Sequence, residues 1–595
     1  MLPKPGEKFD IETESRKLKE LVGIYDPDAF IRNTAHLLQY IGSPRIEVYP
    51  FQGLDSPLRQ LYYLTALNLS SAQDMITEPE VTTDDEWKTI VLQTLRAKAG
   101  YYDLFMPKEG EDTEEFHDFY KVAMPVFMNY YDTGKLNYEE QEIERIERSF
   151  EHFEKEILAE FGIGTKDILA IYDHIDECIN EKMNRYFLAN KDPECRSFFD
   201  EQRANNIHPN NIVYTGQNQN IIELLRWFQT RGELKILDKQ QLYDRYDTTK
   251  VNCFLELFTV KRTTRDFFYY TQVNPLMQQP IYQLSEGRIL VFETKQILHA
   301  VFSAIEDFLV SDAKNTKERY FRHRGKYLHK KTSELFDRFF KGEAFLYNEY
   351  RTKPDGDGHD LLVLYKRNAM IVEIKAGYEA KPHAVPSNTR KVFEGIYINF
   401  KRNIQKGFEQ AQRIMELFKL KNPIKIYDEN NKHLYTIDPG RYENVINIIV
   451  TQDKFRKPQI DLSLMLKLKQ DHYIYPFSIS IDDLEIILLT LRKLKKSPAD
   501  FFRFLNYRAQ LQGRLDCDDE LELWGAFMNN SNFSIPDNPD LGFKTFPEMA
   551  LFYDDVYAKG LGFKKEKNWV KKTSGKYLNF DPGKFVMDQN RKKTK

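Results

Sequence analysis

Residues 359–377 read HDLLVLYKRNAMIVEIKAG, two apolar, β-rich runs joined by the polar Lys366-Arg367-Asn368. LLVLY and AMIVEI have the composition of strands and the tripeptide that of a turn, so the segment predicts an antiparallel hairpin. With Arg367 and Asn368 as a two-residue loop, Lys366 opposes Ala369, Leu362 opposes Glu373 and Asp360 opposes Lys375. Directly opposed residues share a face, as do residues two apart, so Asp360, Glu373 and Lys375 point the same way. The other face carries Leu361, Val363, Tyr365, Met370, Val372 and Ile374, while Leu362, Leu364 and Ile371 accompany the charges. Apolar residues on both faces demand cover on both, so this hairpin is expected at the centre of a sheet layered with helices.

Two carboxylates and an amine at the end of such a hairpin carry a desolvation cost that a bound cation would offset. Carboxylate oxygens are hard ligands suited to Mg²⁺, which often takes one or two protein carboxylates together with substrate phosphate. A metal there could acidify a water and clamp a phosphate, with Lys375 holding the attacking water or stabilising developing charge. The E-x-K spacing alone is weak, since Glu86-Trp-Lys88 and Glu293-Thr-Lys295 repeat it. The first falls in an expected helix, and the second has Pro280 where the matching acid would stand. Glu373 and Lys375 alone have strand context on both sides and an acid on the same face.

These residues resemble the PD-(D/E)XK nuclease superfamily, the restriction-endonuclease-like fold, in which a strand-turn-strand unit supplies Asp and then E-x-K. The resemblance runs from about Tyr320 to Thr451. RYFRHRGKYLHKKTSELFDRFF looks like the first helix, EAFLYNEYR like the first strand, NFKRNIQKGFEQAQRIMELFK like the helix after the E-x-K strand, and ENVINIIVT like a further core strand. It implies Asp360, Glu373 and Lys375 as catalytic residues, Asp360 and Glu373 as ligands of Mg²⁺, and Mn²⁺ as a substitute. Relatives often place a Glu four residues after a helix Gly, but four residues after Gly325 this chain has His329. Glu334 shares that helix, and Gln410 best matches a glutamine that relatives place beside the site, so His329, Glu334 and Gln410 are the supporting candidates.

Elsewhere the pattern is helical. Apolar spacing predicts helices over Asp10–Ile24, Pro57–Met75, Asp84–Tyr101, Tyr138–Phe161 and Lys166–Phe187, with Ile143, Ile146, Phe150, Phe153 and Ile157 as the stripe of a bundle helix. From Lys261 to Val310, RDFFYYTQV, PIYQL and GRILVF read as strands before a helix from Lys295. Helices follow over Ile481–Lys495, capped by Asp482 or Asp483, Pro498–Gln512 and Asp518–Met528. KPDGDGHD lacks the Gly and Glu of a calcium loop and reads as a mobile, glycine-rich approach to the Asp360 strand. The expected organisation is a multidomain α+β chain. It comprises a helical region 1–260 for regulation or a protein partner, a mixed connector 261–312, a nuclease core 313–480 with a mixed sheet flanked by helices, a helical segment 481–530 and a basic tail 531–595.

Cys178, Cys195, Cys253 and Cys517 are far apart and form neither a zinc pattern nor a disulfide framework. A net charge of −4 argues against a globally basic nucleic-acid binder. Residues 561–595, however, hold eleven Lys or Arg against three acids, with Trp569, Tyr577 and Phe580 interleaved, a pattern able to follow a phosphate backbone. No apolar run reaches the roughly 18 residues of a membrane span and no signal-peptide core is visible, so a cytoplasmic protein without a membrane partner is expected. The expected activity is metal-dependent endonucleolytic hydrolysis of nucleic acid, DNA before RNA, in antiviral defence. The alternative is a nuclease fold that binds nucleic acid or scaffolds a complex without cutting.

Overall fold

The computed structural model describes residues 7–38, 41, 53–81, 83–107, 110, 114–133, 137–207, 211–311, 316–377, 389–468, 474–529 and 542–566. The architecture is mixed α+β, and the chain divides into two compact units. One holds the residues up to Met106 and Tyr131–Lys317; the other holds Pro107–Tyr130 and most of the chain from Glu318 onward.

In the first unit the helices Ile11–Gly23, Pro27–Leu38, Pro57–Leu69 and Asp84–Asp103 enclose a core of Leu18, Val22, Phe30, Leu61, Leu64 and Ile90. Their starts follow local chemistry. Asp10 accepts from Thr13 N at 2.8 Å, and Thr83 with Glu86 forms a reciprocal capping box. The expected helix over 138–161 is two, Glu139–Phe150 and Glu154–Phe161. Phe153 N bonds back to Phe150 O and Ile157 N to Phe153 O, so the first helix tightens and a second starts while Ile146, Phe150, Phe153 and Ile157 all stay buried.

The small sheet here is four-stranded, in the order Ile236–Leu237, Ile289–Val291, Ile281–Gln283, Thr259–Val260. Leu290 and Phe292 lie in the same core as the first helices, so the 261–312 strands belong to this unit rather than standing apart as a connector. RDFFYYTQV is not a strand. Gln272 Oε1 takes the amide protons of Phe268 and Tyr269 at 2.6 and 2.7 Å, satisfying locally the donors a ladder would use. Tyr270 is instead an anchor, its hydroxyl 2.9 Å from Asp132 Oδ1.

Within the second unit the strands are β1 (Phe345–Arg351), β2 (Gly358–Tyr365), β3 (Asn368–Lys375), β4 (Ile424–Tyr427), β5 (His433–Ile437), β6 (Asn444–Thr451) and β7 (Phe477–Ser480). They form one mixed sheet in the order β7-β6-β3-β2-β1-β4-β5. β3 is central, antiparallel to β2 and parallel to β6. The helices are α1 (Thr316–Phe340), α2 (Thr389–Phe400), α3 (Lys406–Lys419), α4 (Ile481–Lys493), α5 (Pro498–Gln510) and α6 (Glu520–Asn529). Ala411, Ile414 and Phe418 of α3 cover Leu362, Leu364 and Ile371 on one face. On the other, Tyr365 meets Phe340 of α1 and Phe502 of α5. Both faces are thus covered.

The cap of α4 is Ser480, whose hydroxyl lies 3.2 Å from Asp483 N, rather than either aspartate. Ser is as good an N-cap as Asp, and it stands at the residue where the strand ends. Of the 531–595 tail, residues 542–566 include a strand, Phe543–Lys544, paired with Leu515–Asp516, and a helix, Leu551–Ala558. Residues 567–595, with most of the basic charge, lie outside the described residues.

Candidate active site

The hairpin loop is Lys366-Arg367, one residue earlier than the polar tripeptide suggests, because Tyr365 pairs with Asn368 and Leu361 with Val372. Lys366 takes φ +51°, the left-handed conformation that primed two-residue hairpins require at their first central residue. The pairing therefore moves by two residues along β3. A shift of two preserves the side-chain alternation, so Glu373 and Lys375 keep their face.

Asp360 joins them by a different route. The β2–β3 ladder stops at Leu361, and Asp360 Oδ2 accepts the Ile374 amide at 2.6 Å in place of a backbone carbonyl. On the far side of β2, Glu349 of β1 has φ +49° and drops out of the β1–β2 register. That irregularity is a bulge, a device that re-aims side chains at a strand end. It turns the buried His359 toward Glu373, where strict alternation would have sent it to the opposite face from Asp360.

Lys375 Nζ lies 2.9 Å from Glu373 Oε2 and 3.3 Å from Asp360 Oδ2. His359 Nδ1 is 3.3 Å from Glu373 Oε1, and His329 Nε2 of α1 is 3.8 Å from Asp360 Oδ1. Glu373 is fully buried, whereas Asp360 and Lys375 keep a partly open side. Tyr350 of β1 packs its ring 5.4 Å from the His359 ring. Its hydroxyl is buried without a hydrogen-bond partner, and burial, then Glu373 and Asp360, hold its pKa well above the usual phenol value.

The helix after β3 closes the site. Lys401–Gln405 form a π turn between α2 and α3, a rare insertion that recurs at functional sites. A Cβ on Gly377 would meet Asn403 Oδ1 at 1.9 Å, and one on Gly407 would meet Lys375 Cε at 3.4 Å. Small residues are therefore needed where this helix approaches the lysine.

Asp360, Glu373, Lys375 and His329 come together. Glu334 does not join them but pairs with Lys564 at 3.1 Å, consistent with its five-residue offset from His329 on α1. Gln410 lies one turn beyond Gly407 with its Oε1 buried and unpartnered. His359 and Tyr350 belong to the site but were not legible as such; the one available signal was the adjacency of His359 to Asp360. In KPDGDGHD, Asp355 bonds Asn431 at 2.8 Å and Asp357 pairs with Arg413 at 2.5 Å, so both acids are used in holding the loop. The donor set of two convergent carboxylates and an imidazole, with a cationic amine between the acids, suits a divalent cation.

No protein-family model matches the chain, and no curated protein or solved structure matches it either. No helix among the described residues is long and apolar enough to cross a membrane.

Proposed function

We propose that the chain is a metal-dependent nuclease of the PD-(D/E)XK type, with a restriction-endonuclease-like core, that hydrolyses phosphodiester bonds in DNA as a defence effector in the cytoplasm. The observation that carries this reading is the convergence of Asp360, Glu373 and Lys375 at the end of the central, doubly covered strand pair. Asp360 and Glu373 would hold Mg²⁺ or Mn²⁺, which when bound polarises the phosphate and lowers the pKa of a ligated water. Lys375 reaches both carboxylates and so stands beside the reacting phosphate, where its ammonium stabilises added negative charge or orients the attacking water. His359 fixes one oxygen of Glu373, so the carboxylate presents the other in a set direction. The Ile374 amide does the same for Asp360. The helical first unit is the place for a protein partner or regulator.

The test is purified protein incubated with linear DNA, plasmid DNA and RNA under Mg²⁺, Mn²⁺ or EDTA, beside Asp360→Ala and Lys375→Ala. Metal-dependent cutting of DNA, abolished in both variants, is the expected result. Binding without cutting in every metal condition would remove the enzymatic reading and leave a nucleic-acid-binding protein.

A further inference from the structure

We propose that His329 is a third ligand of the cation and that it makes the site prefer a first-row transition cation, with Mn²⁺ as the probe, over Mg²⁺. This rests on the metal-dependent reading of the same site. Asp360 uses Oδ2 for the Ile374 amide and Lys375, which leaves Oδ1 turned to His329 Nε2 at 3.8 Å. That separation is too long for a hydrogen bond. It is shorter than two metal–ligand bonds of about 2.1 Å each placed end to end, so one ion can touch both atoms.

Two further observations point to something bound here. The Tyr350 hydroxyl is fully buried, unpartnered and electrostatically against Glu373 and Asp360, as expected of a group whose partner is a ligand or its water. One helical turn before His329, a Cβ on Gly325 would meet nothing within 4 Å, so α1 leaves space on the side from which a cation and its waters would enter. The preference follows from ligand chemistry. Mg²⁺ is held by oxygen and retains water, whereas an imidazole nitrogen adds affinity along the first transition row.

The experiment titrates MnCl₂ and MgCl₂ into the full chain and into His329→Ala, His329→Glu and Asp360→Ala by calorimetry, with pulsed electron paramagnetic resonance of bound Mn²⁺ to detect coupling to ¹⁴N. The wild type is expected to bind Mn²⁺ roughly tenfold or more tighter than Mg²⁺ and to show nitrogen coupling. His329→Ala loses the coupling and roughly tenfold of Mn²⁺ affinity with little change for Mg²⁺, and His329→Glu closes the gap between the cations. Metal binding that depends on Asp360 but shows no nitrogen coupling, or an unchanged ratio in His329→Ala, overturns the assignment and leaves the nuclease reading standing. Failure of either cation to bind in an Asp360-dependent way removes both.

Discussion

The second unit contains two lysines that each bridge a pair of acids, and only one of them has the surroundings of a site. Lys375 reaches Glu373 at 2.9 Å and Asp360 at 3.3 Å, while Lys454 reaches Asp483 and Asp519 at 2.8 Å each. Around Lys454 every acid has a further donor: Ser480 Oγ binds Asp483 Oδ2 at 2.8 Å, and the Leu521 amide binds Asp519 Oδ1 at 2.9 Å. This cluster ties the segment after β6 to the starts of α4 and α6. Around Lys375 stand two imidazoles, an unpartnered phenol and open space at Gly325. The same three charges make a structural clamp when their neighbours complete them and a reactive centre when their neighbours leave valences open.

Replacing each lysine by methionine is the largest test of that contrast. Lys375→Met is expected to lower cutting by about a thousandfold, roughly 4 kcal/mol, with the melting temperature nearly unchanged. Lys454→Met at pH 8 is expected to cost about 3–5 kcal/mol of stability by leaving two buried acids uncompensated. Equal losses of stability in the two variants would erase the distinction, and denaturant titration beside a cleavage assay reads both quantities.

The clamp region also predicts a pH dependence. Burial pushes Asp483 up to about 7 against the pull of Lys454, with Asp519 adding to the rise, and burial likewise pushes Glu522 up to about 7. Folded-state pKa values above the unfolded ones mean that the folded form holds more protons, so these groups withdraw stability as pH climbs from about 4 to 7. Glu522→Gln mimics the protonated acid beside Thr545. Its stability relative to wild type is expected to grow through that window, reaching on the order of 2 kcal/mol at pH 8. A difference that is flat between pH 4.5 and 8 in guanidinium unfolding would contradict this.

Two glycines sharpen the contrast between open and closed surroundings. A Cβ at Gly525 of α6 would meet Met549 O at 2.1 Å, so Gly525→Ala is expected to cost about 1–3 kcal/mol. At Gly325 it would meet nothing, so Gly325→Ala is expected to raise stability by about 0.5–1 kcal/mol through the helix preference for alanine. If substrate passes over that turn, the same variant raises KM. Thermal unfolding separates the two positions by sign.

The difference in legibility between the two lysine clusters is itself physical. Asp360, Glu373 and Lys375 lie on two adjacent strands, and alternation tolerates an error of two residues, so a misplaced loop still yields the right face. Lys454, Asp483 and Asp519 come from three elements joined only by packing, and no local period connects them. His359 and Tyr350 escaped because the bulge at Glu349 and the carboxylate-for-carbonyl exchange at Asp360 break the alternation on which a strand reading depends. The two-helix break near Phe153 and the coil over RDFFYYTQV were hidden for a related reason: local hydrogen bonds from Phe150 O and Gln272 Oε1 override propensity.

The finest test of the contrast is Tyr350→Phe. A buried hydroxyl without a partner costs about 1–3 kcal/mol relative to an apolar group of the same shape, so deleting it is expected to stabilise the chain by about 1 kcal/mol. The ring keeps its packing against His359 in this variant, and neither acid loses a partner. A hydroxyl retained at that cost in an ordinary core would be removable without consequence. Beside Glu373 and Asp360 its loss is expected to lower cutting several-fold while the melting temperature rises. Stability and activity moving in opposite directions marks strain held for function. A stabilised variant with unchanged cutting would instead place Tyr350 with the clamp, as structure alone.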